Sequence, residues 1–156
     1  IIIACNTAHL LQPDIEQRLN IRITSMVDAA IDYVSRHYKT IRLLASPTTI
    51  RTGLYDKPLK AAGVTVLTPD KDEEQALEVI IRAVISDQAI PQSVLDKIPT
   101  TTQYEQANAV SYINNCPSSP PVLLGCTELS CAFAEKPNTI DPINILLRYL
   151  TIKGVL

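Results

Sequence analysis

Two short stretches of the chain carry residues suited to proton transfer. Ile1-Ile2-Ile3-Ala4-Cys5-Asn6-Thr7 and Val122-Leu123-Leu124-Gly125-Cys126-Thr127-Glu128 echo one another: an apolar run, a small residue, a cysteine, then polar residues able to cap a helix. In open α/β sheets, ligands gather beyond the carboxyl ends of strands, where helix N-termini direct their amide groups outward. A cysteine at that position is expected to favour its thiolate, because the positive helix end lowers the thiol pKa. The competing reading takes each cysteine as a small buried hydrophobe, which most free cysteines are. Two in matched settings, each trailed by Asn, Thr or Glu, turn the balance toward chemistry.

The elements that must position these residues alternate in type. Short β-rich apolar runs give way to stretches of helical period, the pattern of parallel strands joined by crossover helices, so the expected class is α/β. Ile1 to Ala4 reads as a buried strand, followed by a helix from about Thr7 to Leu19 with Ala8, Leu11, Ile15 and Leu19 at helical spacing. An extended connection over Ile21 to Val27 leads to a helix near Asp28 to Tyr38, and then to the strand Ile41 to Ala45. Ser46-Pro47-Thr48-Thr49 is a turn and N-cap for a helix reaching about Ala62, with Gly63 as its stop. The strand Val64 to Leu67 runs through Thr68-Pro69-Asp70 into a helix over Asp72 to Ser86, whose acidic first turn suits the positive helix end. Ala89 to Asn115 reads as polar and mostly helical with breaks at Pro91 and Pro99, and Cys116 to Pro121 as a loop. The strand Val122 to Gly125, a connection over Asn138 to Pro142, and a helix presenting Ile143, Leu146 or Leu147, and Leu150 complete the chain.

Composition narrows the partners. The 156 residues are 46% hydrophobic and 19% charged, which suits a packed domain and not a disordered tail or coiled coil. The apolar runs fall far short of the roughly 18 residues that cross a bilayer. Fourteen Lys and Arg against 16 Asp and Glu are scattered, so no basic stripe is available for nucleic acid. Four cysteines with no sign of a small secreted scaffold suggest a reducing, cytoplasmic compartment. Without a close Cys-x-x-Cys pair, and with His9 and His37 not spaced as ligands, no metal site is expected. An opening of Ile1-Ile2-Ile3, with no Met and no leader layout, reads as the interior of a longer protein.

Ala4-Cys5-Asn6-Thr7-Ala8-His9 and Leu124-Gly125-Cys126-Thr127-Glu128-Leu129 resemble the two cysteine signatures of the aspartate/glutamate racemase superfamily. Between them, the stretch Leu43 to Tyr55, with Ser46-Pro47-Thr48-Thr49 at its turn, is similar to the strand, threonine turn and helix that open the family's second domain. Thr68-Pro69-Asp70 and Ile140-Asp141-Pro142 also fit, so the resemblance runs in order along nearly the whole chain. It implies two similar αβα domains with parallel four-stranded sheets, the first largely missing here. Residues 1–27 would be the last strand and helix of that first domain, 28–141 the second domain, and 142–156 a helix returning to the first. The segment alone would then be inactive. Glu128, where glutamate racemases usually carry His, places the resemblance in the aspartate racemase branch.

The activity implied is cofactor-independent racemisation of an amino acid, aspartate or glutamate, by two cysteines on opposite faces of the α-carbon, one starting as thiolate and one as thiol. Cys5 and Cys126 would be those catalytic groups. Asn6, Thr7, Ala8, Thr127 and Glu128 would hold the substrate's carboxylate and ammonium groups, with Glu128 suited to the ammonium. Glu128 read without the resemblance is equally a carboxylate favouring a helix N-terminus. A small-molecule partner and a homodimer are the expected associations, with no nucleic acid, membrane or metal. The usual basic residue and glycine after the long helix are replaced by Ser86-Asp87-Gln88-Ala89, which points to an altered grip on substrate. Ser46 and Thr49 read first as capping groups, Cys131 as core, and His37 and Cys116 as surface or packing residues. A Cys5–His9 hydrolase pair is the weaker reading of His9. The alternatives to a racemase are a superfamily isomerase or decarboxylase using one nucleophilic cysteine, and a non-catalytic amino-acid-binding relative.

Overall fold

The computed structural model describes residues 1–98, 119–133 and 135–154. Four strands, β1 (Thr40–Ala45), β2 (Thr65–Leu67), β3 (Val122–Gly125) and β4 (Thr139–Ile140), form one parallel sheet in the order β2-β1-β3-β4. The helices are α1 (Gln12–Leu19), α2 (Met26–His37), α3 (Pro47–Thr52), α4 (Asp56–Ala61), α5 (Lys71–Ile85), α6 (Gln92–Leu95), α7 (Thr127–Phe133) and α8 (Pro142–Ile152). A 3-10 helix over Thr7–Leu11 precedes α1. The α/β class with a parallel four-stranded sheet is as expected. Residues 99–118, which hold the polar segment from Pro99 on and the Cys116 end of the following loop, lie outside the described residues.

The central strands are mostly apolar because both faces are covered. Ile41, Leu43 and Ala45 face one layer with Ala30 and Val34 of α2, Leu59 of α4, and Leu123. Leu44, Val122 and Leu124 face the other, against Ala76, Leu77 and Ile80 of α5 and Leu129 and Phe133 of α7. Arg42 interrupts β1 yet is buried, because its guanidinium meets the Glu73 carboxylate of α5 at 2.6 Å. Glu73 also accepts from the Asp70 amide while Asp70 accepts from the Glu73 amide, a capping box that starts α5 one residue before the acidic turn. Met26 of α2 and Leu146 and Leu150 of α8 make a third apolar cluster, which seats the last helix on α2.

Several expectations about these elements are corrected. Ile1 to Ala4 is not a buried strand: Ile2 forms a single parallel bridge with Thr24, and Ile1 and Ile2 are exposed. Pairing on one side only, by one bridge, provides no sheet face to bury them among the described residues. The helix from Thr7 is 3-10 for five residues before becoming α1, which buries none of its residues; Leu11 and Leu19 of the supposed apolar stripe are exposed. The helix after Ser46 stops at Thr52, where Gly53 takes the left-handed conformation at φ +70°, and restarts at Asp56. That break turns Tyr55 beneath the sheet, where it is fully buried. β4, which reads as a connection in the sequence, is two residues long and too short to show a period.

Candidate active site

β1 and β3 are neighbours in register, with Ala45 opposite Gly125, so the residues following each strand emerge side by side at the carboxyl edge of the sheet. After β1, the Ser46 hydroxyl accepts from the Thr49 amide at 3.3 Å and caps α3 as expected. After β3 comes Cys126, then Thr127 and Glu128 in the first turn of α7. Gly125 is demanded by the approach of β1: a Cβ there would stand 2.9 Å from Ala45 Cβ and 3.3 Å from the Tyr55 ring.

The first cysteine motif is tied onto this edge from outside the sheet. Thr7 Oγ1 lies 3.0 Å from Thr49 Oγ1 and 3.3 Å from Ser46 Oγ, and the Ser46 hydroxyl reaches Thr49 Oγ1 at 3.1 Å. Asn6 is buried and its Oδ1 accepts from the Tyr55 hydroxyl. Cys5 is exposed, and Ala8 is half-buried in the 3-10 helix. His9 does not serve Cys5 as a base. Its Nε2 accepts from the Met26 amide at 3.2 Å, so Nδ1 is the nitrogen that donates to the Cys5 carbonyl at 2.8 Å, and both ring nitrogens are spent on backbone. The ring thereby fastens Cys5 to the start of α2.

Cys126 is buried, and its Sγ donates to Glu128 Oε2 at 2.9 Å; Thr127 Oγ1 donates to the same oxygen at 3.1 Å. Burial, then the hydrogen bond to and negative charge of Glu128, push the Cys126 thiol up to about 12, outweighing the opposing pull of the Glu128 and Leu129 amides at the start of α7. The expected thiolate at a helix N-terminus is therefore corrected at this position: Cys126 rests as a thiol. Burial alone would raise Glu128, but the bonds from Cys126, its own amide and Thr127 leave its carboxyl below the ordinary value. Cys131 is exposed and not in the core, with its thiol 3.8 Å from the Thr127 carbonyl, and His37 is exposed and stacked on Tyr33.

Tyr55 is the member of this constellation that residue types alone did not single out. It ends the stretch that begins at Leu43, and a tyrosine in an apolar stretch looks like core. Burial, with the charges of Asp141 and Asp28, raises its phenol above the ordinary tyrosine range, so the hydroxyl stays a donor.

A family model described as Asp/Glu/hydantoin racemase matches residues 1–150. The chain belongs to this family. Among curated relatives of this racemase family, the broad specificity amino-acid racemase RacX of Bacillus subtilis is 31% identical over 84 residues, which are 54% of this chain and 37% of that protein. Among solved structures, an aspartate racemase homologue from Pyrococcus horikoshii superposes with a TM-score of 0.69 at 24% identity, over 100% of this chain and 66% of that one. The aspartate racemase of Picrophilus torridus gives 0.67 at 20% identity, over 99% of this chain and 62% of that one. At these identities the superpositions establish the racemase fold. The chain spans little more than a third of its curated relative and just under two thirds of the solved ones.

Proposed function

We propose that the chain carries both acid–base groups of a cofactor-independent amino-acid racemase of the aspartate type. The observation that carries this reading is the Cys126 thiol held protonated against Glu128 at the end of β3, beside the edge to which the Cys5 motif is bonded. Racemisation needs an acid and a base on opposite faces of one carbon. Cys5, exposed, takes the α-proton as thiolate, and Cys126 gives its proton to the other face. The product state leaves a thiolate beside the Glu128 carboxylate, a like-charge pair that a substrate ammonium at Glu128 relieves. Glu128 thus connects ammonium binding to the proton of Cys126, while Asn6, Thr7, Ala8 and Thr127 hold the carboxylate through side chains and amides. Reaction in the opposite direction reverses the roles of the two sulfurs.

The test is incorporation of solvent deuterium at the α-carbon of aspartate by the full-length protein. Wild type exchanges and racemises, and Cys5→Ala and Cys126→Ala each lower racemisation by about a thousandfold, within the span of general acid–base contributions. Racemisation retained in both variants rejects the two-cysteine reading. A covalent adduct on Cys5 seen by mass spectrometry supports the single-nucleophile chemistry in its place.

A further inference from the structure

Tyr55 lies 49 residues from Asn6 in sequence, donates its hydroxyl to Asn6 Oδ1, is fully buried, and brings its ring against Gly125, the residue before Cys126. Its hydroxyl thus reaches the first cysteine motif and its ring the second. Gly53 adds a second sign that this placement is built: its left-handed conformation breaks the helix two residues earlier and delivers Tyr55 under the sheet edge. A phenylalanine would fill the same space, so the hydroxyl has work that packing does not explain.

We propose that Tyr55 is a positioning residue for the reaction: its hydroxyl fixes the Asn6 amide beside Cys5 while its ring seats the backbone leading to Cys126. This rests on the racemase reading. An amide is nearly symmetric in shape and can turn over, exchanging oxygen for nitrogen. With Oδ1 committed to Tyr55, Asn6 presents its Nδ2 hydrogens to whatever binds beside Cys5, the polarity a substrate carboxylate requires. Without the hydroxyl the amide is free to turn, and half its orientations offer an oxygen to a carboxylate.

The experiment is a double-mutant cycle on α-proton exchange of aspartate in the full-length protein, with Tyr55→Phe, Asn6→Ala and both together. Tyr55→Phe lowers kcat/KM about tenfold, mainly through KM, because the amide binds ground state and transition state alike. In the Asn6→Ala background the same change costs less than twofold, since the group it acts through is gone. Equal losses in both backgrounds, or a loss confined to kcat, overturn the proposal. A readout that needs no turnover accompanies it and stands even if Tyr55→Phe fails to fold: in wild type the Tyr55 hydroxyl proton exchanges slowly and shows a nuclear Overhauser effect to the Asn6 side chain. A hydroxyl exchanging as fast as a free phenol overturns the proposal. A slow hydroxyl in a wild-type protein that neither exchanges nor racemises any amino acid rejects the racemase reading and the positioning role of Tyr55 with it, leaving the Tyr55–Asn6 bond intact as structure.

Discussion

At the scale of single residues, the proton on Cys126 is the feature with the clearest consequences. Burial and Glu128 both oppose the thiolate, so Glu128→Gln removes only the second cause: the Cys126 thiol falls from about 12 but stays above the ordinary thiol value. The pH dependence of alkylation, followed in a background lacking Cys5, Cys116 and Cys131, reads this directly, and an unchanged profile rejects the coupling. The sign for stability follows from the same shift. The folded thiol titrates higher than the unfolded one, so the fold suffers no penalty from Cys126 below about 9, the ordinary value, and loses stability as pH rises from there toward about 12. The difference in urea midpoint between wild type and Cys126→Ala therefore narrows or reverses in favour of the alanine variant across that window, and a pH-independent difference would contradict it.

At the scale of elements, the site depends on how closely β1 and β3 approach and on how α5 is anchored. Gly125→Ala forces a Cβ to within 2.9 Å of Ala45, a side chain with no freedom to withdraw, and to 3.0 Å from Leu43, with the Tyr55 ring tight against it at 3.3 Å. Overpacking of this kind costs about 1–3 kcal/mol, measurable as a lowered denaturation midpoint. Glu73→Ala removes at once a carboxylate partner of the buried Arg42 and half of the α5 capping box, and a loss of about 2 kcal/mol is expected from losing a charge-assisted hydrogen bond. A loss below about 1 kcal/mol would place the pair among ordinary surface ion pairs. Most of these elements are legible in the chain because their causes are local: the apolar run Val122 to Gly125, the Ser46 cap, and the acidic first turn of α5 all act within four residues. The misjudged elements have distant causes. The helix after Ser46 has a continuous helical pattern, and its break at Gly53 answers the need of Tyr55 to turn inward. Cys131 has the spacing of a core residue but falls on the open side of α7.

At the scale of the whole molecule, the N-terminal segment is joined to the sheet chiefly by polar bonds: Thr7 to Ser46 and Thr49, Asn6 to Tyr55, and His9 to Met26. Thr7→Val is expected to leave global stability within about 1 kcal/mol, since typical neutral hydrogen bonds contribute no more, while residues 7–20 become more susceptible to protease. Equal protease resistance in the variant would show that other contacts hold the segment. Among the described residues no helix is long and apolar enough to cross a membrane.

The two cysteine motifs, their small preceding residues and their polar followers are properties of the chain as a string, and with the strand–helix alternation they sufficed to indicate the racemase family and its parallel sheet. Their mutual placement is not such a property. Asn6 meets Tyr55 and Thr7 meets Thr49 across more than forty residues, and the protonation of Cys126 follows from the depth at which β3 buries it. Local capping and periodicity act through neighbours along the backbone, whereas burial and long-range hydrogen bonds exist only once distant segments have packed.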